Sequence, residues 1–264
     1  MGEIRFNRSI KKSFVKTDEN LLMNYKCTNE VDLLGKRINF YGRKKGKKLS
    51  PYQKMCIEDY LPKIKFVETD SSGNLTKESI NFEKVFGFSC PVWLEIGFGS
   101  GEHLLHLAKS NRSVGILGCE PYVNGAASLL GKIYGSDLSN IRIFMGDIRK
   151  ILSLIPPKKL SKIFLLFPDP WPKKKHRRRR LLNLKILAEI CRILKPGGLF
   201  YFASDVNDYT KQTLELFSKD NRFEWMADRP NDWRNVWENW YPTRYQIKAL
   251  KAGRKINYIV FRKV

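Results

Sequence analysis

Val92-Trp93-Leu94-Glu95-Ile96-Gly97-Phe98-Gly99-Ser100-Gly101 is the stretch on which the fold turns. An apolar run short enough to be a strand ends in three alternating glycines, and a helical pattern over Glu102–Lys109 follows at once. Glycine tolerates the left-handed backbone that a sharp strand-to-helix turn needs, and such a turn aims the first amides of the helix at a ligand. Downstream, short apolar strands at Val114–Cys119, Ile141–Met145, Lys162–Phe167 and Leu199–Ala203 alternate with helical stretches at Val123–Tyr134, Leu181–Leu194 and Asp208–Lys219. That alternation predicts a parallel sheet with helices on both faces. Pro196-Gly197-Gly198 reads as the turn that stops one helix before its strand, and Asn257–Arg262 as a last, antiparallel strand. Upstream, residues 1–90 show no sustained periodicity, only a plausible helix near Pro51–Leu61 and a turn at Ser71-Ser72-Gly73-Asn74. The expected division is therefore a basic N-terminal extension over 1–90, partly mobile without its ligand, and one α/β domain over 91–264.

The 264 residues carry 49 Lys and Arg against 26 Asp and Glu, a formal charge of +23 that calls for an anionic partner. The charge is unevenly spread. Lys173, Lys174, Lys175, Arg177, Arg178, Arg179 and Arg180 surround His176, and a lesser cluster runs Arg43-Lys44-Lys45-Gly46-Lys47-Lys48. The first run interrupts the strand-helix alternation and so falls on a loop at a sheet end, where α/β proteins bind ligands; phosphates are the natural counter-charge. No apolar run reaches the roughly 18 residues of a membrane span, and the first twenty residues hold no apolar signal core, so a cytosolic protein is expected. Five scattered cysteines, Cys27, Cys56, Cys90, Cys119 and Cys191, lack CxxC spacing and read as reduced thiols. His103 and His106 read as solvent-facing positions, no metal is expected, and no obligate protein partner is evident.

The chemistry of the glycine turn is set by Glu95. A pyrophosphate is poorly served by a carboxylate two residues before the first glycine, whereas a ligand with an ammonium and a sulfonium is attracted by one. The spacing Gly97-x-Gly99-x-Gly101 also departs from the Gly-x-Gly-x-x-Gly of dinucleotide sites. S-adenosylmethionine is favoured over a nicotinamide cofactor. Glu120, directly after the second strand, is placed to accept from ribose hydroxyls, and Asp147, after the third, from an adenine amino group; either in isolation would read as a surface acid or a helix cap. After the fourth strand, Pro168-Asp169-Pro170-Trp171-Pro172 puts three prolines in five residues, a stiff loop that holds Asp169 extended beside the cofactor end and the basic run.

Taken together, Glu95-Ile-Gly-Phe-Gly-Ser-Gly101, Phe167-Pro-Asp-Pro-Trp-Pro-Lys-Lys-Lys-His176, Ser204-Asp205 and Thr243-Arg244-Tyr245 resemble the bacterial tRNA (guanine-N7-)-methyltransferase family. The resemblance runs from about residue 35 to 264 and includes Tyr41-Gly42-Arg43 with the lysines after it. It implies a Rossmann-like class I methyltransferase fold, with a mostly parallel seven-stranded sheet, and methyl transfer from S-adenosylmethionine to guanosine 46 in the tRNA variable loop. It also implies cofactor contacts from Glu95, Glu120, Asp147 and Asp169, with Asp169 in the catalytic position. Lys173, Asp205 and Thr243, Arg244, Tyr245 and Gln246 would then contact the tRNA. The family usually ends that last motif in Glu; a neutral amide at Gln246 replaces a carboxylate's contact only in part.

Two rival functions fit parts of the pattern. Methylation of an exocyclic base amine favours an Asp/Asn-Pro-Pro-aromatic loop, and the order here is Asp169-Pro170-Trp171-Pro172. A non-catalytic RNA-binding module would lack acids at the strand ends, and all four are present. Trp225, Trp233, Trp237 and Trp240 lie among arginines and suit either base stacking or packing, with packing favoured by the i,i+4 spacing of Trp233 and Trp237.

Overall fold

Seven strands form one sheet in the order β3-β2-β1-β4-β5-β7-β6. The computed structural model describes residues 38–69, 75–76 and 78–264, so Cys27, residues 1–34 and the turn expected at Ser71–Asn74 lie outside the described part. The strands are β1 (Val92–Ile96), β2 (Gly115–Cys119), β3 (Ile141–Phe144), β4 (Leu160–Leu166), β5 (Leu194–Ser204), β6 (Phe223–Trp225) and β7 (Asn257–Lys263). The five strands β3 to β5 pair in parallel, and β7 pairs antiparallel with both β5 and β6. The order reverses beside β1, which leaves a crevice at the carboxyl edge between β1 and its neighbours.

Period-two alternation sorts the strands onto two cores. Leu94, Ile96, Ile163, Leu165, Phe200 and Phe202 face one side, against α6 (Leu184–Ile193) and α7 (Asn207–Ser218). Phe164, Leu166, Ala203 and Ile116 face the other, against α4 (Glu102–Ser110) and α5 (Val123–Ile133). Glu95 and Trp93 share the parity of this second face, which turns the Glu95 side chain toward α4.

The expected strands and helices are present, with four differences of physical origin. First, the N-terminal third is not an appendage from residue 38 onward. A helical run of α1 (Pro51–Met55), a π turn (Cys56–Tyr60) and α2 (Leu61–Ile64) buries Cys56, Ile57, Leu61 and Ile64 against α5 and β3, and α3 (Phe82–Phe86) buries Phe82 and Phe86 in the other core. The helix expected near Pro51–Leu61 is there; its burial was not expected, since its short length and the π turn give no sustained apolar stripe. Second, α6 starts at Leu184 because Asn183 accepts from the Lys185 and Ile186 amides as its cap. Third, Pro196-Gly197-Gly198 is a bulge within β5: Leu160 pairs with Leu194 but Lys162 with Leu199. Fourth, α8 (Asn231–Arg234) is a single turn that ends before Trp237, so Trp233 and Trp237 do not share a helix. Trp237 packs all the same, against Tyr201, Trp240 and Tyr258. The last helix, α9 (Arg244–Lys251), follows directly on this aromatic cluster. Among the described residues, no helix is long and apolar enough to cross a membrane.

Candidate active site

The glycine turn after β1 is the floor of the site. Gly97, Gly99 and Gly101 all sit at positive φ (77°, 58° and 76°), a conformation that costs most side chains strain. Their roles differ. Gly97 and Gly99 line a cavity of about 640 Å³ at the carboxyl edge of the sheet. Gly101 lies outside its lining: it begins α4, and a Cβ there would come within 2.6 Å of Leu129. Gly101 therefore serves the packing of α4 on α5, where a side chain would collide with Leu129.

Four carboxylates reach the cavity from four strand ends: Glu95 from β1, Glu120 after β2, Asp147 after β3 and Asp169 after β4. Glu95 is 2 % exposed, and its Oε2 lies 3.0 Å from His103 Nδ1. Glu120 accepts from the Gly99 amide at 2.6 Å and the Tyr122 amide at 2.7 Å, which locks the turn to the next strand. Burial outweighs those amides and, together with Asp169 and Glu95 nearby, pushes the Glu120 carboxyl up to about 7. Burial also raises the Asp169 carboxyl above its ordinary range. Asp147 is not a free acceptor. It accepts from the Arg149 amide at 3.0 Å and from the Arg149 guanidinium at 2.5 Å and 3.0 Å, so an adenine amino group would have to share an occupied carboxylate.

The loop that carries Asp169 faces the cavity rather than the opposite rim. Phe167, Pro168, Asp169 and Trp171 all line it. Phe167 and Trp171, the residues that bracket Pro168-Asp169-Pro170, take positive φ (49° and 42°). Non-glycine residues in that region store strain that the surrounding structure must hold, a feature concentrated at functional sites. The surrounding structure here is Arg180. It is 2 % exposed, donates to the Pro170 carbonyl at 2.8 Å and to Gln212 Oε1 at 2.7 Å, pairs with Asp208 at 2.6 Å and lies over the Tyr209 ring.

This divides the basic run, a division that sequence spacing did not reveal. Arg180 is a buried brace for the loop, Arg177 pairs with Asp208, and Arg179 is a cavity-wall residue stacked on Tyr41 and Trp171 at 4.6 Å and 5.0 Å. Lys173, Lys174, Lys175 and Arg178 are exposed, as is Arg177 beyond its pairing with Asp208, and of the run only Arg179 lines the cavity.

The remaining expected substrate residues separate likewise. Thr243, Arg244 and Tyr245 line the cavity. Thr243 caps α9 by accepting from the Gln246 amide at 3.1 Å, and Arg244 donates to Ser100 Oγ at 3.1 Å, which docks the start of α9 on the glycine turn. Tyr245 is 60 % exposed and hangs beside Gly99. Gln246 faces away: it is buried, with Oε1 accepting from Trp240 Nε1 at 2.8 Å and Nε2 donating to the Tyr258 hydroxyl at 2.9 Å. Expected from its place in the motif to touch a base, Gln246 lies outside the cavity lining and holds the aromatic cluster instead. Asp205 stands outside the cavity lining and pairs with Arg254 at 2.6 Å.

Three sets of residues escaped the sequence reading. Asn39, Phe40, Tyr41, Gly42 and Arg43 close the cavity from above. Their strap is clasped to α5 by Asn124, which accepts from the Gly46 amide at 2.6 Å and donates to the Lys47 carbonyl at 2.6 Å. A Cβ on Gly42 would meet the Phe40 ring at 2.7 Å and Asp169 Oδ2 at 3.1 Å, so the glycine lets the strap lie on the reaction loop. The Tyr-Gly-Arg motif was the available signal; nothing local told where it packs. Arg149 and His103 are the others. His103, expected at the surface, is buried between Phe164 and Trp240, because α4 turns this position toward Glu95.

A parallel sheet with an antiparallel last strand, a glycine turn flanked by carboxylates and a crevice at the carboxyl edge define a class I methyltransferase. The crystal structure of the 16S rRNA methyltransferase KamB is similar in fold, with a TM-score of 0.52 at 14 % identity over 75 % of this chain and 98 % of that one. A family model described as a putative methyltransferase matches residues 89–259. The tRNA (guanine-N(7)-)-methyltransferase of Ruegeria pomeroyi is 46 % identical over 86 % of this chain and 95 % of its own length. That of Ruegeria sp. TM1040 is 46 % identical over 85 % and 88 %. The chain belongs to the tRNA (guanine-N7-)-methyltransferase family.

Proposed function

We propose that this chain transfers a methyl group from S-adenosylmethionine to N7 of a guanosine in tRNA, at position 46 of the variable loop, in the cytosol. The observation that carries the reading is the convergence of Glu95, Glu120 and Asp169 on one cavity, with exposed Lys173, Lys174 and Lys175 following in chain just after its wall residue Trp171. A wall of carboxylates suits a cationic donor and would repel a pyrophosphate. The glycine floor, open above Gly97, leaves room for the donor to lie against backbone. When bound, S-adenosylmethionine supplies an electrophilic methyl group on a sulfonium.

The chain's own residues then have three tasks. Glu95 and Glu120 hold the donor's cationic and ribose ends, while Arg149 ties Asp147 to the strap through the Asn39 carbonyl at 3.2 Å. Guanine N7 has a lone pair and no proton, so no general base is required; alignment of N7 with the methyl carbon at roughly 3–3.5 Å is the main demand. The purine becomes cationic as methyl transfers, and Asp169 on its strained, braced loop supports that charge. N7 faces the deep groove of A-form RNA, which side chains cannot read, so an unstacked loop nucleotide is the accessible acceptor. Lys173 with its exposed neighbours would grip flanking phosphates, and Tyr245 would meet the base.

The test is to measure donor binding by calorimetry, then incubate the protein with labelled donor and bulk tRNA and identify the labelled nucleoside. N7-methylguanosine is the expected product. Label in an exocyclic N-methyl nucleoside, or none despite donor binding, would overturn the reading.

A further inference from the structure

We propose that His103 is a positioning residue for the donor site, acting through Glu95; the inference rests on the S-adenosylmethionine reading above. The ring of His103 is 1 % exposed. Its Nδ1 lies 3.0 Å from Glu95 Oε2, and since a carboxylate only accepts, Nδ1 carries the hydrogen of that bond. The imidazole packs edge-to-face with Phe164, ring centres 5.1 Å apart, and at a tilt with Trp240, 5.3 Å apart. Nε2 is buried without a partner. A leucine would fill this apolar slot without an orphaned nitrogen, which costs free energy when buried. What the imidazole adds is the donor aimed at Glu95.

The consequence for Glu95 is orientational. The carboxylate sits at the end of β1, where the chain turns away through Gly97, and among the described residues no other side chain is seen to bond it. With Oε2 held by His103, the side chain is confined to one rotamer and its remaining lone pairs are directed to the cavity it lines. Trp240 packs against the imidazole and donates to Gln246 Oε1 at 2.8 Å, so Gln246 buttresses the same contact from α9. The motif position expected to touch the base thus supports the cofactor carboxylate instead.

The test separates orientation of Glu95 from general damage by using two ligands. S-adenosylmethionine carries the ammonium and sulfonium that a carboxylate attracts; 5′-methylthioadenosine has neither but fills the nucleoside part of the site. His103→Leu and His103→Met, two apolar replacements of similar size, should each raise the dissociation constant for S-adenosylmethionine about tenfold, the worth of one charge-assisted hydrogen bond. Both should leave 5′-methylthioadenosine within about twofold, a margin below the roughly tenfold that one such bond confers. His103→Asn, which keeps a donor near the Nδ1 position, should restore most of the loss, and in a Glu95→Gln background His103→Leu should add little. Equal weakening of both ligands, or no change in either, would overturn the proposal. Wild-type protein that binds 5′-methylthioadenosine but not S-adenosylmethionine would instead overturn the donor reading on which it rests.

Discussion

Asp169 carries the heaviest burden of any single side chain, because it combines a buried, raised carboxyl with a loop strained on either side. If its negative charge supports the developing purinium, Asp169→Asn should lower kcat nearly as far as Asp169→Ala, by roughly 10²-fold on the scale of one lost electrostatic contact. Near-full activity in the Asn variant would exclude a charge role. Glu120 makes a second demand. With its carboxyl near 7 in the free protein, it is largely protonated at pH 6. A bound donor favours the ionised form, so binding should release a proton in that range. Affinity for S-adenosylmethionine should rise about eightfold between pH 6 and 7.5 and then level off, a dependence that titration calorimetry in buffers of different ionisation heat resolves. The carboxylates of the site were legible in the sequence because each lies in the last residues of a strand, as Glu95 does, or just after one, where topology alone dictates position. Their partners were not. Arg149, His103 and the Phe40–Arg43 strap approach through folding of distant or helical segments, and no spacing rule encodes which neighbour a buried acid will meet.

The relation between elements decides what the basic run does. Arg180 joins the reaction loop to α7 through Pro170, Asp208 and Gln212. Arg180 is the buried partner, and its loss strips the Pro170 carbonyl and Gln212 of their donor while Asp208 keeps Arg177. Arg180→Ala should therefore lower stability by about 1–3 kcal/mol in denaturant melts. Lys173→Ala, at the exposed start of the run, should leave the melt unchanged, raise KM for tRNA and reduce the salt dependence of binding, with donor affinity unaffected. An equal loss of donor binding would contradict that division. Asn124 offers the corresponding test for the strap. Asn124→Ala removes both hydrogen bonds of the clasp and should speed donor dissociation several-fold in stopped-flow measurements, with little change in thermal stability. The strands and helices from β1 to β5 were readable because apolar runs and caps alternate cleanly there. The elements that escaped share a cause: the bulge at Pro196–Gly198 and the three-residue β6 interrupt or fall below the periodicity that reveals an element, while the helix expected near Pro51–Leu61 was legible as a helix but not as part of the core.

Across the assembled fold, the two ends of the account meet at one edge of the sheet. Acidic groups collect at the strand termini around the cavity, while a surplus of +23 leaves the outside strongly cationic. The arrangement attracts a polyanion to the rim and a small cation to the interior, and the proline loop stands between them. Charge separation of this kind is a property of the fold, since residues 38–49, 167–180 and 243–248 come together only through the topology of the sheet. The most direct test is a tRNA transcript in which the variable-loop guanosine is replaced by 7-deazaguanosine, a base of the same shape with carbon where N7 stood. The account requires that this transcript bind as tightly as the unmodified one while methyl transfer to it disappears; continued transfer to the deaza transcript would contradict N7 as the acceptor.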